Sequence, residues 1–185
     1  MDIKIKKNEE NNLIDIAKLD ADVWLDAYNK NFSKKFLKER LANIEETAKV
    51  IKENIEQNKE FYNCAYDNDK MIGYISYKKS DNLKHINDGM ITNLYVLPEY
   101  QNKEVGTKLF RATLLDIKQN FNRNNIILNI LKGNSWALRF FKSFGGDVIG
   151  TTMTTIDSKT IREYLLYMEN IDKIIQRIDN KEFIK

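Results

Sequence analysis

The stretch "LPEYQNKEVGTKLF", Leu97 to Phe110, concentrates residues that suit anion binding. An apolar run stops at Pro98, a polar loop follows, and helical spacing begins at Phe110 and continues through Leu114, Ile117 and Phe121. A loop that ends a strand and opens a helix aims backbone N–H groups at one point, and the helix dipole adds roughly half a positive charge there. Phosphate is the anion that such a terminus suits. Glu104, in the middle of the loop, opposes this. A carboxylate about 5 Å from a diphosphate costs roughly 1–3 kcal/mol per charge pair. Lys103 and Lys108 flank it and offset part of that. Glu104 also has a plain structural role, because an acidic first turn stabilises a helix by about 0.3–1 kcal/mol.

Other reactive residue types are scarce. Cys64 is the only cysteine, so an internal disulfide is excluded, and its place in "FYNCAY" reads as core. His85 is the only histidine and lies in a polar segment, so a histidine-based metal site is not expected. Net charge is +3 with both signs mixed along the chain, which gives no concentrated basic face for nucleic acid. The start, "MDIKIKKNEE", has no apolar core, and no run approaches membrane-spanning length, so a cytoplasmic protein without membrane contact is expected.

The elements that must position the loop follow from periodicity. Ile3 and Ile5 alternate with polar residues, a short strand signal. Ile14, Ala17, Ala21, Trp24, Leu25 and Tyr28 recur at helical spacing. A second, longer stripe runs through Leu37, Leu41, Ile44, Ala48, Ile51 and Ile55, with Ser33 as an N-cap. Two aromatic-rich runs around Asp67-Asn68-Asp69 read as a hairpin. Segment 79–89 reads as a loop and 90–97 as a strand. "IILNIL", 126–131, has the near-continuous apolar character of a strand buried on both faces. A short helix over 135–144, ended by Gly145-Gly146, precedes strands near 148–156 and 161–168. Strands 90–97 and 126–131, joined through a helix, are expected to be parallel neighbours. The fold class is α/β (α+β), with a mixed, mostly antiparallel sheet of about seven strands flanked by helices around one central parallel βαβ unit. The tail places Ile171, Ile174, Ile175 and Ile178 on one helical face. That face packs on its own domain or serves a homodimer.

"PEYQNKEVGTKL" resembles the acyl-CoA-binding signature Q/R-x-x-G-x-G/A of the GNAT superfamily of N-acetyltransferases. "GNSWALRFFKSFGG" resembles the second GNAT signature, N-x-x-A-x-x-F-Y-x-x-x-G-F. The resemblance covers residues 1–170 as one acyltransferase domain, with 171–185 as its helical extension. It implies that acetyl-CoA is the co-substrate, with no metal. It implies that the backbone of Gln101, Asn102, Lys103, Glu104, Val105, Gly106 and Thr107 holds the diphosphate. Leu94, Tyr95 and Val96 would pair with the pantetheine arm, Asn134 would contact the cofactor, and the two parallel strands would splay at their C-terminal ends. Asn102 and Glu104 stand where glycines are common in that family, and Phe141 stands where a tyrosine often acts as general acid. Phe141 is therefore expected against the pantetheine or acetyl region.

The implied reaction is direct transfer of an acetyl group to a primary amine of a small molecule or protein. The alternative is a GNAT-fold CoA-binding or regulatory protein with weak or absent catalysis. Thr92 and Asn93 occupy strand positions where relatives often carry a carboxylate, so no general base stands out. Thr92, Asp88 and Tyr164 are the catalytic candidates, with His85 and Tyr167 beside them. Trp24, Tyr28, Phe32 and Phe36 are candidates to line an acceptor pocket, although a stripe of aromatics at helical spacing is more often core.

Overall fold

A computed structural model describes residues 2–8, 12–86 and 88–182. Its strands form one seven-stranded sheet in the order β1-β2-β3-β4-β5-β7-β6. The chain divides into two compact units, 1–77 with 93–112, and 78–92 with 113–185.

The first unit begins with β1 (Ile3–Lys7), α1 (Leu13–Ala27), α2 (Lys34–Ala42) and α3 (Ile44–Glu56). The stripe from Leu37 to Ile55, expected as one helix, is two. Asn43 ends α2, donating its N–H to the Glu39 carbonyl, and is also the N-cap of α3. The apolar spacing runs through Asn43 unbroken, so periodicity alone cannot reveal the break. Ser33 caps α2 as its type predicts, accepting the Phe36 N–H at 3.1 Å.

β2 (Phe61–Asp67) and β3 (Lys70–Lys79) form the expected antiparallel hairpin, with Asn68 in left-handed backbone at its turn. β1 pairs antiparallel with β2. Ile16, Leu19 and Val23 of α1 and Ile51 of α3 bury against Tyr62, Cys64 and Tyr74 of the sheet. The Cys64 side chain is fully enclosed, in keeping with its reading as core.

β4 (Gly89–Val96) enters this unit with its C-terminal half and leads to α4 (Val105–Phe121). Gly73 is required where β3 passes β4. A Cβ there would lie 2.7 Å from the Tyr95 carbonyl oxygen, closer than van der Waals contact allows.

The second unit holds β5 (Asn125–Leu131), α5 (Ser135–Ser143), β6 (Asp147–Ile156), β7 (Lys159–Glu169) and α6 (Ile171–Asp179). The parallel ladder joins Gly89–Ile91 of β4 to Ile126–Leu128 of β5 and ends there, while β4 runs on to Val96. β7 lies antiparallel between β5 and β6. Gly89 lets α4 close on the sheet, since a Cβ there would sit 2.6 Å from Ile117.

In α6, Ile171, Ile174 and Ile178 are buried within this unit. The Ile171 N–H donates to the Asn124 carbonyl at 2.8 Å, Lys118 pairs with Asp172, and Arg177 donates to the Phe144 carbonyl at 3.0 Å. The apolar face offered for a homodimer is thus covered by the chain itself. Residues 183–185 of the expected extension lie outside the described residues. No described helix is long and apolar enough to cross a membrane.

Candidate active site

The loop after β4 is built by a short run of local bonds. The Leu97 N–H donates to the Ile72 carbonyl at 3.0 Å, which anchors the strand end. Pro98 opens a single 3-10 turn over Pro98–Tyr100, where its lack of an N–H costs nothing. The Gln101 side chain then reaches back, its Nε2 donating to the Val96 carbonyl at 3.2 Å. Gln101 therefore ties the loop to the strand it leaves.

Asn102 (φ 58°) and Glu104 (φ 62°) adopt left-handed backbone, and Lys103 between them does not. These are the two positions where the resembling pattern commonly has glycine. Alternation of this kind turns successive N–H groups toward one side, as in an anion-binding nest. Asn tolerates the conformation through its short polar side chain, whereas Glu bears about 1–2 kcal/mol of strain there. The Lys108 N–H donates to the Glu104 carbonyl at 2.9 Å, so the helix starts from the strained residue. Val105 is buried, and the Glu104 side chain is exposed. The first helical turn, with Gly106 and Thr107, leaves N–H groups without intrahelical acceptors. Two ammonium groups flank the Tyr100 ring, Lys70 at 5.3 Å and Lys103 at 5.4 Å from its centroid. Lys70 is also paired with Glu99 at 3.1 Å, so charges of both signs surround the loop.

On β4, Leu94, Tyr95 and Val96 are half-buried. The Tyr95 ring meets Tyr74 edge-on at 5.6 Å. Burial, reinforced by the Asp20 charge, raises the Tyr95 hydroxyl well above the usual phenol range. Asn93 donates its amide to Ser76 Oγ at 2.8 Å. Thr92 is half-buried.

The aromatic residues named between Trp24 and Phe36, from α1, α2 and the turn joining them, do come together. Trp24 lies 4.8 Å from Tyr28 and 5.4 Å from Phe32, and Phe32 lies 5.5 Å from Phe36. Tyr28 and Phe32 are buried, while Trp24 and Phe36 keep partial exposure. Three polar residues missed in the sequence complete this cluster. Asp20, 8% exposed, accepts from the Tyr74 hydroxyl at 2.8 Å and pairs with Arg40. The Arg40 guanidinium lies over the Trp24 ring at 4.4 Å. One signal was available: Asp20 stands four residues from both Ile16 and Trp24, on the buried stripe of α1.

The other candidates belong to the second unit. Asn134 is the N-cap of α5, its Oδ1 accepting the Ala137 N–H at 3.0 Å. That bond fixes the orientation of the side-chain amide. Phe141 is 3% exposed and packs edge-on against Phe140 at 5.1 Å.

Asp88 pairs with His85 at 3.4 Å, and the His85 ring lies 4.6 Å from Tyr167. Asp88 precedes the first residue of β4. Tyr167 pairs with Ile127 of β5. Tyr164 is half-buried and pairs with Ile130 near the C-terminal end of β5. Its neighbour Glu163, absent from the sequence reading, accepts from Thr152 Oγ1 at 3.3 Å, and burial raises its carboxyl above the usual range.

Residues 21–146 match the family model described as acetyltransferase (GNAT) family. The chain is 31% identical over 86 residues to N-alpha-acetyltransferase 30 of Schizosaccharomyces pombe, a match spanning 46% of this chain and 57% of that relative. In fold it is similar to the PaiA N-acetyltransferase of Thermoplasma acidophilum in complex with coenzyme A, with TM-score 0.69, 18% identity, and coverage of 91% of this chain and 99% of that one. It is similar also to a ribosomal-protein-alanine N-acetyltransferase of Brucella melitensis, with TM-score 0.70, 15% identity, and coverage of 90% and 99%. The family match takes in both signature regions and most of the sheet, and the chain belongs to the GNAT acetyltransferase family.

Proposed function

We propose that the protein is an N-acetyltransferase that moves the acetyl group of acetyl-CoA directly to a primary amine. The observation that carries this reading is the loop after β4, with Asn102 at φ 58° and Glu104 at φ 62°. An L-residue holds that backbone only when its surroundings demand it, and an anion-binding turn supplies the demand. The N–H groups from Asn102 to Thr107 receive the diphosphate. Leu94 to Val96 pair with the pantetheine arm, and Asn134 contributes its Nδ2. Likeness to an N-alpha-acetyltransferase supports a peptide amine as acceptor.

Acetyl-CoA supplies the acyl carbon and the leaving thiolate. The chain holds that carbon against the amine and aims a strand N–H near Leu94–Val96 at the oxygen as charge develops. Phe141 has no proton to give, and a thiol with pKa about 8.5 leaves as thiolate without one. Proton removal from the amine falls to β7 or to water held at Thr92. Tyr164 and Glu163 are the β7 groups, and Glu163 is raised toward the range a base needs near neutral pH.

A CoA-binding protein with weak or absent catalysis is the second reading. One observation favours it: Asn93, where a carboxylate is common in this family, has its amide engaged by Ser76.

The test is a thermal melt with acetyl-CoA, using adenosine diphosphate as control. Saturation at about a hundred times Kd stabilises by roughly 2.7 kcal/mol, about 5–10 °C for a chain of this size. No shift at millimolar acetyl-CoA overturns both readings. A shift without turnover across peptide, polyamine and aminoglycoside amines selects the second.

A further inference from the structure

The Asp20–Arg40 pair is unusual in where it lies. Asp20 is a carboxylate on the buried stripe of α1, with one oxygen satisfied by the Tyr74 hydroxyl. Arg40 comes from α2, and its side chain remains 30% exposed. Its guanidinium pairs with the other Asp20 oxygen, lies 4.4 Å over Trp24 and 5.8 Å from the Phe36 ring centroid. This is the chemistry of a cation site: a buried carboxylate and two aromatic faces. A planar guanidinium suits it better than an ammonium, because it stacks and hydrogen-bonds in one plane. Arg40 itself fits incompletely, since its Nε is buried with no hydrogen-bond partner.

The site is also built onto the strand of interest. Tyr74, which donates to Asp20, meets the Tyr95 ring at 5.6 Å. Tyr95 lies between Leu94 and Val96 on β4.

We propose that Asp20, Trp24 and Phe36 form a guanidinium site that Arg40 fills in cis, and that an arginine side chain of the acceptor takes its place during substrate binding. The proposal rests on the acetyltransferase reading and names its substrate class: a peptide amine with an arginine beside it. The exchange is of like for like, so charge is conserved in the site. Arg40 moves to water from a surface helix, while Asp20 keeps its ion pair and its bond to Tyr74.

The experiment uses Arg40→Ala in the full chain, with methylguanidinium chloride as the probe and sodium chloride as the ionic control. Melting is followed together with Trp24 fluorescence in a Trp136→Phe background. Arg40→Ala is expected to melt below wild type, and tens of millimolar methylguanidinium to raise its Tm by several degrees with a saturable change in emission. In wild type, where Arg40 competes for the site, the same additive is expected to act only at higher concentration. Adding Asp20→Asn to Arg40→Ala abolishes the response. No rise in Arg40→Ala, or an equal rise without Asp20, overturns the site. Should Arg40→Ala fail to fold, wild type is titrated with arginine amide and citrulline amide. At least tenfold tighter binding of the arginine compound supports the site, and equal binding overturns it. Neither assay needs acetyl transfer. A positive response with no acetyl-CoA shift would keep the guanidinium site and remove the enzyme reading.

Discussion

The carbonyl of Glu104 accepts the Lys108 N–H at 2.9 Å, while Glu104 itself holds φ at 62°. The residue that launches α4 is thus the strained one, and its negative side chain stands at the helix end that attracts anions. Strain and charge at this residue are separable by substitution. Glu104→Gly removes both, and Glu104→Ala removes only the charge. Glu104→Gly is expected to stabilise the ligand-free protein by about 1 kcal/mol and to tighten acetyl-CoA binding about fivefold. Glu104→Ala should tighten binding similarly without the gain in Tm. Unchanged affinity in both variants would show that the carboxylate points away from the diphosphate.

The capping role of Asn134 and the cofactor contact proposed for it are divided by different substitutions. Asn134→Ala loses the cap of α5 and should cost about 0.5–2 kcal/mol. Asn134→Ser keeps a capping oxygen but loses the amide donor. Urea melts are expected to show near-native stability for the serine variant, with acetyl-CoA affinity reduced in both. Full affinity in Asn134→Ser would limit the residue to its structural role.

The Tyr74 hydroxyl is a charge-assisted donor to a buried carboxylate. Tyr74→Phe leaves one Asp20 oxygen without its donor and should cost roughly 1.5–3 kcal/mol. The same change in an Asp20→Asn background should cost less, because the charge is gone. Equal costs in a double-mutant cycle would remove the coupling inferred from the 2.8 Å contact.

Glu163 gives a pH signature. Burial raises its carboxyl, so the folded state holds the proton more tightly than the unfolded state. Its favourable contribution is full below the unfolded pKa and disappears as pH rises through the folded value. Glu163→Gln should therefore gain stability relative to wild type as pH rises from 4 to 7. Parallel Tm profiles for the two proteins over that range would contradict the raised value. If Glu163 is also the base, the alkaline plateau of kcat/KM collapses in the same variant.

Burial pushes the Cys64 thiol up to about 12. It should resist thiol reagents in the native state at pH 8 and label only on global unfolding. Its labelling rate then reads the opening of the α1–α3 core. Fast native-state labelling would show that this core opens locally.

Much of the architecture was legible because it rests on local periodicity. The apolar run 126–131 announced a strand buried on both faces, and its parallel neighbour followed from the helix between them. Pro98 and the stripe from Phe110 marked the strand–loop–helix turn. The break at Asn43 was hidden because Leu41 and Ile44 keep their helical spacing across it. The candidate site was legible only in part. The loop from Gln101 to Thr107 is contiguous, so its residues arrive together whatever the rest of the chain does.

Along the chain alone, then, the residue pattern was enough for the family, the sheet and the strand–loop–helix turn, since each depends on spacing within a short segment. Tertiary packing settled three other matters. It paired Asp88 with His85 and set the His85 ring against Tyr167. It covered the apolar face of α6 within the chain. It brought Asp20, Arg40 and Tyr74 together from α1, α2 and β3. Residues twenty and fifty-four positions apart meet through strand pairing and helix packing, and no local period encodes that meeting.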